Sequence, residues 1–173
     1  MPIDQSHVYS SIRPMNMDDL EKVWLWRNQW RVRRYMFNQA EIPWDEHRLW
    51  YERASKNSLT HLLIFEIEGH PSGFVSFSES ISGRIADWSF HTSTDARKGS
   101  GSMLCSAALR YGFADLNLYK ICGRVLGCNK GSIRIHEKLG FALEGIVRDG
   151  YHDGSAYYSI YMYGIFKELS NET

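Results

Sequence analysis

A short run rich in glycine and serine, residues 96–102 (ARKGSGS), limits the fold more than any other feature of the chain. It follows a strand candidate that ends at Thr92 and leads into apolar residues at helical spacing up to about Leu116. In a glycine loop that opens a helix, backbone N–H groups can approach an anion, and the helix dipole adds partial positive charge. The run therefore predicts an α/β protein with an anion site at the start of this helix, although a lone Gly-Ser-Gly also suits an ordinary turn.

Turn residues and hydrophobic periodicity divide the chain into a definite order of elements. We predict one strand, two helices, three strands, the helix after the glycine run, a strand, a helix and two strands. The strands are expected at 8–13, 61–68, 72–80, 84–92, 120–126, 142–151 and 156–166, and the helices at about 18–28, 44–55, 103–116 and 129–139. No repeat or linker interrupts this order, so we expect one domain over residues 1–173 with an α/β (α+β sandwich) fold.

Charge and composition exclude several classes of protein. Hydrophobic residues make up 43% of the chain and charged residues 23%, which is typical of a globular domain rather than a disordered one. Twenty Lys and Arg balance twenty Asp and Glu, so the basic excess expected of a nucleic-acid binder is missing. The sequence has no signal-peptide pattern and no apolar run of membrane-spanning length. We expect a cytoplasmic protein with no nucleic-acid or membrane partner.

The cysteines and histidines predict neither a metal site nor a covalent intermediate. The three cysteines, Cys105, Cys122 and Cys128, are odd in number and lack a CxxC spacing, which indicates reduced thiols. The seven histidines are scattered, and neither an HExxH nor a Walker-type motif occurs. Because Cys105 lies in the apolar stripe of a predicted helix, a thiolate nucleophile is disfavoured. We therefore expect no metal.

A second motif lies about thirty residues after the glycine run. Residues 129–141 read NKGSIRIHEKLGF, an Asn followed by a predicted helix and a closing Lys-Leu-Gly-Phe block. With the glycine run and the strand that ends in residues 88–92, this block resembles the GNAT acetyltransferase family, over roughly residues 8–167. The resemblance implies a GNAT fold, a mixed and mostly antiparallel sheet of about seven strands flanked by about four helices. It also implies acetyl-CoA as cosubstrate.

The same resemblance assigns residues to acetyl-CoA. The family's pyrophosphate loop, Gln or Arg, two residues, Gly, one residue, Gly or Ala, aligns with residues 96–101, where Ala96 departs from the expected first residue. Backbone amides do most of the anion binding in such loops, and Arg97 or Lys98 can supply charge. The residues implied to bind acetyl-CoA are Phe90, His91, Thr92, Arg97, Lys98, Gly99, Ser100, Gly101, Ser102, Asn129 and Ser132.

One histidine of the second motif is the candidate catalytic residue. Asn129, Ser132 and His136 share one face of the predicted helix. In the family this face meets the pantetheine arm, and many members have a Tyr at the position of His136 that protonates the departing thiolate. An imidazole, with a pKa of about 6.5, can also exchange protons near neutral pH. His136 is therefore the candidate general acid, with simple packing or capping as the alternative.

The resemblance also implies the course of the reaction. The acceptor amine attacks the acetyl thioester directly in a ternary complex, and a backbone N–H near Phe90 or His91 meets the developing oxyanion.

The first helix and the second carry a more specific resemblance. The Arg27-Asn28 pair, Met36 and His47 look like the acetyltransferases of the pseudaminic acid pathway, which acetylate the 4-amino group of a UDP-linked 4-amino-4,6-dideoxy sugar. By that resemblance Arg27, Asn28 and His47 bind the acceptor, and Arg27 and His47 face its nucleotide. The partner is then a small nucleotide-sugar amine. The alternative is a solvated basic face neutralised by neighbouring acids.

Other functions stay open from the sequence. Residues 143–151 and 157–163 also resemble ribosomal-protein N-terminal acetyltransferases, and aminoglycoside-like compounds or polyamines are further possible acceptors. The missing Tyr at position 136 raises a different alternative, a CoA-binding or nucleotide-sensing module without turnover. The aromatic residues Trp26, Trp30, Trp44 and Trp50, expected to be exposed, suit either a substrate pocket or the contact of a homodimer.

Overall fold

The computed structural model describes residues 9–80 and 83–168 and arranges their strands in one seven-stranded sheet. The strands are β1 (Ser10–Pro14), β2 (Thr60–Ile67), β3 (His70–Glu79), β4 (Ile85–Thr92), β5 (Lys120–Leu126), β6 (Ala142–His152) and β7 (Tyr157–Phe166). The helices are α1 (Leu20–Asn28), α2 (Trp30–Arg33), α3 (Trp44–Ala54), α4 (Ser100–Ala114) and α5 (Lys130–Lys138), with a 3-10 turn at Met17–Asp19.

The sheet is mixed and mostly antiparallel, as predicted. Its strand order is β1-β2-β3-β4-β5-β7-β6, and in the described chain β4 and β5 form the parallel pair. Residues 9–80 and 83–168 contain five α-helices rather than about four, because α2 is a single turn within the basic cluster and is too short to show a period. Val8, the first residue of the predicted first strand, lies outside the described residues.

Most predicted bounds agree closely with the observed ones, but two expectations need correction. Helix α4 begins at Ser100, inside the run that was predicted as a loop, because Gly99 adopts a left-handed conformation and caps it. Trp26 is not an exposed aromatic: its side chain is buried in the core beneath α1, with 7% of its surface exposed. Trp30 and Trp44 are exposed, as expected, whereas Trp50 is half-buried and packs against the same core layer.

The sheet has a hydrophobic layer on each face, and strand β2 supplies both. Alternate residues point to opposite faces of a strand, so Leu63 and Phe65 join the layer under α4. Leu62 and Ile64 join the smaller layer beneath α1 and α3. Helices therefore cover both faces of the sheet; α1 contacts β4, one of the two strands that border the site, and α3 contacts β2. None of the described helices has the length and apolar character of a membrane span.

Candidate active site

The main cleft opens where two neighbouring strands part. Residues 85–87 of β4 pair in parallel with residues 120–122 of β5, but the strands continue to Thr92 and Leu126. Beyond these pairs the described parts of β4 and β5 share no further pairing, and a cleft of about 620 Å³ lies between them. Backbone groups on the facing strand edges are thus open to the cleft, as an extended ligand needs.

A buried histidine fills the point at which the strands part. Trp88 and Gly123 are the first residues beyond the paired region, and His136 of α5 lies against both. The indole N–H of Trp88 donates to Nε2 of His136 at 3.1 Å. A Cβ placed on Gly123 would lie 2.4 Å from the same nitrogen, so a larger residue cannot fit there without a shift. The imidazole of His136 therefore packs between the two strands, against Trp88 and Gly123.

The hydrogen bonds of His136 disfavour the general-acid role that the sequence suggested. Nδ1 lies 2.8 Å from the carbonyl oxygen of Ser132, so Nδ1–H donates there while Nε2 accepts from Trp88. The ring stacks on Tyr163 at 5.0 Å and is 1% exposed. Burial lowers its pKa, although the Ser132 carbonyl opposes this. A neutral ring with both nitrogens engaged has no proton to give a thiolate, so the geometry favours packing.

The start of α4 has the features of an anion site. Gly99 has φ of +93°, a conformation that other residues rarely adopt, and a Cβ there would meet nothing within 4 Å. Position 99 therefore needs glycine for its backbone conformation and not because a side chain would clash. Gly101 lines the cleft, and the first amides of a helix have no partner within the helix. These amides and the open strand edges fit an extended, phosphate-bearing molecule such as acetyl-CoA.

The residues predicted to bind acetyl-CoA fall into two groups. Six of them line the cleft: Phe90, His91, Thr92, Gly101, Asn129 and Ser132. Five belong to the loop and first turn of α4 beside it and do not line it: Arg97, Lys98, Gly99, Ser100 and Ser102. The side chains of Arg97 and Lys98 are exposed, whereas Ser100 is buried. The Oδ1 of Asn129 accepts from the Ser132 amide at 3.1 Å and so caps α5.

Sequence reasoning missed the wall that faces the two strands. Arg31 and Tyr35, from α2 and the turn after it, line the cleft, and Arg31 donates to the carbonyl oxygen of Ser93 in the loop before α4. The guanidinium of Arg124 lies over the ring of Phe37, 5.5 Å from its centroid. Only folding brings these segments together, so no local pattern marks them. A lone glycine inside a strand, as at Gly123, is a signal that could have been used.

A second, smaller cavity of about 240 Å³ adjoins the cleft. The two share Met36, Ser89 and His91 in their linings. The second cavity is lined by Val23, Arg27, Met36, Ile42, His47, Trp50, Phe74, Ser76, Ser89 and His91. Among these described lining residues there is no Asp or Glu. The cavity is thus apolar with a cationic end.

The three residues predicted to bind the acceptor differ in placement. Arg27 and His47 line the second cavity. Asn28 lines neither cavity. Its side-chain amide forms two hydrogen bonds with the backbone of Ile42: Oδ1 accepts from the Ile42 amide at 2.8 Å, and Nδ2 donates to the Ile42 carbonyl at 3.0 Å. Its role is to hold the segment before α3. His47 donates through Nε2 to the Leu20 carbonyl and stacks on Trp50, so its ring is a wall more than a ligand.

Burial sets the charges at this end of the site. Desolvation, together with the nearby cations Arg27 and Arg31, lowers the pKa of His91 to about 3. Desolvation also lowers the pKa of His47, although its hydrogen bond to the Leu20 carbonyl acts in the opposite direction. Desolvation and the nearby cation Arg33 both lower the pKa of Arg27. The two histidines are therefore neutral at neutral pH, and Arg27 is the charged group of the cavity.

Neither a metal nor a thiolate nucleophile is indicated by the geometry. Within residues 9–80 and 83–168, no group of three or more His, Cys, Asp or Glu side chains is arranged to hold a metal ion. Cys105 is buried in the core, and desolvation raises the pKa of its thiol, so it stays protonated.

Comparisons with known proteins agree with the assignment of the cleft to acetyl-CoA. Residues 11–142 match the family model of the acetyltransferase (GNAT) domain. Spermidine N(1)-acetyltransferase of Escherichia coli K12 is 30% identical over 136 residues, which cover 78% of this chain and 73% of that protein. The structure of Vibrio cholerae spermidine N-acetyltransferase with CoA and spermine has a TM-score of 0.84 at 22% identity and covers 91% of this chain and 95% of its own.

Another solved structure, a putative phosphinothricin N-acetyltransferase, has a TM-score of 0.77 at 24% identity and covers 91% of this chain and 98% of its own. At such identities the likeness concerns the fold, whereas the family match rests on the sequence. Fold, cleft and family match agree: the chain belongs to the GNAT family of acetyl-CoA-dependent N-acetyltransferases.

Proposed function

We propose that the acceptor of this N-acetyltransferase is a primary amine that also carries a negatively charged group, with a UDP-linked 4-amino-4,6-dideoxy sugar as the leading candidate. The single observation that carries the proposal is the unpaired Arg27 in a cavity whose described lining has no carboxylate. A guanidinium fork suits a phosphate or carboxylate and repels an ammonium group. The sequence resemblance to nucleotide-sugar acetyltransferases supplies the specific candidate.

Acetyl-CoA would be held by the open edges of β4 and β5 and by the start of α4. The pyrophosphate suits the amides around Gly99 and Gly101, while Asn129 and Ser132 line the pantetheine end. The cosubstrate supplies an acetyl thioester, whose carbonyl carbon is the electrophile. Bound between the two strands, it would bring the thioester to the border with the second cavity, which Met36, Ser89 and His91 form.

The residues around that border then direct the transfer. The amine attacks the carbonyl carbon, a C–N bond forms, the C–S bond breaks, and CoA leaves as its thiol after proton transfer. A backbone N–H near Phe90 or His91, in the part of β4 that β5 leaves unpaired, would stabilise the oxyanion. His91 is a weak base, since its pKa is about 3, so the amine proton passes to water. Most of the rate then comes from orientation of two bound substrates.

A polyamine is the second candidate, favoured by the sequence match to a spermidine acetyltransferase. A polyamine carries several ammonium groups, and its site needs carboxylates along the acceptor path. Among the described residues that line the two cavities, Asp87 is the carboxylate available. The charge of the second cavity therefore favours an anionic acceptor, whereas the similarity to a spermidine acetyltransferase favours a polyamine.

Thiol release from acetyl-CoA tests these candidates together. The panel contains UDP-4-amino-4,6-dideoxy sugars, spermidine, and peptides with a free N-terminus, and mass spectrometry identifies the acetylated product. Turnover of the nucleotide sugar supports the proposal. Turnover of spermidine alone, or of peptides alone, rejects the nucleotide sugar in favour of the polyamine or ribosomal-protein type of acceptor. Tight acetyl-CoA binding with no turnover of any amine would identify the non-catalytic alternative.

Three broader proposals accompany this function. We propose a single catalytic domain over residues 1–173 and a cytoplasmic location, which the three unpaired cysteines fit. We also propose self-association, at least as a homodimer. The Vibrio cholerae enzyme is described as dodecameric, and Trp30 and Trp44 of this chain are exposed. Sedimentation of the purified protein tests the last point; a monomer at all accessible concentrations would reject it.

A further inference from the structure

The second cavity contains a half-buried cation without a counter-charge. Nη1 of Arg27 is buried without a hydrogen-bond partner, while Nη2 donates to the Asn38 carbonyl at 2.8 Å. Within residues 9–80 and 83–168 Arg27 forms no ion pair, and its nearest charged influence is another cation, Arg33. Burial of these donors without an acceptor is unfavourable, and an anion beside them would remove that cost. The free N–H groups of Nη1 therefore mark a place for a ligand.

A second unused donor lies on the same cavity. His91 is 7% exposed, and its Nε2 is buried without a partner. The ring is neutral, so in one tautomer Nε2 carries a hydrogen that can be donated. The hydroxyl groups of Ser76 and Ser89 are on the same lining. Two side chains with unused donors, Arg27 and His91, and two serines thus line a space whose described lining offers no carboxylate.

The rest of the cavity limits the size and character of the ligand. Its volume of about 240 Å³ is below the roughly 300–1,000 Å³ of cavities that take drug-sized ligands. Val23, Ile42, Trp50 and Phe74 supply its apolar surface. The space therefore suits one oxyanion attached to a small apolar body, and a whole nucleotide does not fit inside it.

We infer that the second cavity is an oxyanion subsite, in which Arg27 and His91 bind a carboxylate or phosphate group of the acceptor while its amine lies at the border with the main cleft. This inference rests on the proposed function, because it names the part of the acceptor that the cavity recognises. The border is formed by Met36, Ser89 and His91, which line both spaces. A carboxylate here indicates a small amino acid, and a phosphate indicates the nucleotide sugar.

Binding of small anions tests the subsite without any turnover. Thermal unfolding is followed with acetate, phosphate or chloride at equal ionic strength, in the wild type, in Arg27→Gln and in Arg53→Gln. Arg53 is an exposed arginine of α3 outside both cavities and serves as the matched loss of charge. We expect a saturable rise in Tm with acetate or phosphate in the wild type and Arg53→Gln, and at least about tenfold weaker binding in Arg27→Gln.

The preference between the two anions identifies the acceptor class: stronger binding of acetate indicates an amino acid, and stronger binding of phosphate a nucleotide sugar. Equal binding by the wild type and Arg27→Gln, or no saturable shift with either anion, overturns the subsite. If Arg27→Gln does not fold, Arg27→Lys replaces it. That variant keeps the charge but loses the planar fork, and it should weaken anion binding while Arg53→Lys does not.

A kinetic measurement separates failure of the subsite from failure of the proposed function. For any amine that the enzyme acetylates, kcat/KM is compared with that of the same amine without its anionic group. The subsite predicts a loss of at least about tenfold in the wild type and a much smaller loss in Arg27→Gln. Efficient acetylation of both amines leaves the transferase activity in place and overturns the subsite. Anion binding through Arg27 without acetylation of any amine retains the subsite and rejects the proposed function.

Discussion

Replacement of His136 separates packing from acid catalysis. In His136→Ala the buried ring is lost from between Trp88 and Tyr163, and removal of a buried aromatic side chain costs about 3–5 kcal/mol of unfolding free energy. In His136→Phe the volume is nearly kept, but the indole N–H of Trp88 loses its acceptor, which costs about 1–3 kcal/mol. We therefore expect both variants to be destabilised, His136→Ala more strongly.

The double variant Trp88→Phe/His136→Phe removes both partners of this hydrogen bond. It should be more stable than the sum of the single changes predicts, by about 1–3 kcal/mol in a double-mutant cycle measured by urea unfolding. A cycle with no coupling would show that the Trp88–His136 contact carries no energy.

The assay for catalysis is the rate of thiol release, measured at a temperature where all variants are folded. A general acid contributes about 10²–10⁴-fold to the rate, whereas a packing residue does not take part in proton transfer. We expect kcat of His136→Phe to stay within about tenfold of the wild type at saturating acetyl-CoA. A folded His136→Phe with kcat reduced more than about 100-fold, and with acetyl-CoA affinity unchanged, would refute the packing role.

Three further predictions follow from the backbone and the buried histidines. Gly123→Ala should destabilise the fold by about 1–3 kcal/mol and weaken acetyl-CoA binding, because its Cβ would lie 2.4 Å from His136 Nε2; an unchanged urea midpoint contradicts this. Gly99→Ala and Gly140→Ala each place a side chain on a left-handed residue and should each cost about 1 kcal/mol or more of unfolding free energy. Only Gly99→Ala should also raise the KM for acetyl-CoA. Equal KM values for the two variants would contradict an anion site at the start of α4. His91 should make the unfolding free energy fall by up to about 1.4 kcal/mol per pH unit below about pH 6.5. Its pKa is near 6.5 in the unfolded chain and about 3 in the folded protein, so the unfolded chain binds the proton first as the pH falls. A stability profile that is no steeper in the wild type than in His91→Gln would contradict this.

Local patterns of the sequence were enough for the fold and for the cosubstrate. The glycine run and the block from Asn129 to Phe141 are continuous in the chain, and each needs only a helix and its first turn to form. Their residues duly meet at one cleft, where Gly101 and Ser132 both line the wall. Seven strands could be placed because turn residues or helical patterns separate them in the sequence.

The parts that could not be predicted depend on contacts between distant segments. The hydrogen bond between Trp88 and His136 joins residues 48 positions apart, so the helix pattern alone left His136 free to be an acid. The pairing of Asn28 with Ile42 likewise turns an expected ligand into a support for a loop. The unpaired state of Arg27 follows from the absence of acids around the second cavity among the described residues, which only the packed structure shows.

The most direct test is the ratio of kcat/KM for a UDP-4-amino-4,6-dideoxy sugar to that for spermidine, measured with the same preparation at saturating acetyl-CoA. An acceptor site with a cationic end, supplied by an uncompensated arginine, predicts a ratio well above one, on the order of 10² or more, since repulsion of an ammonium group and loss of an anion contact both act against spermidine. A ratio below one would contradict the account and would assign the chain the polyamine acceptor of its Escherichia coli relative.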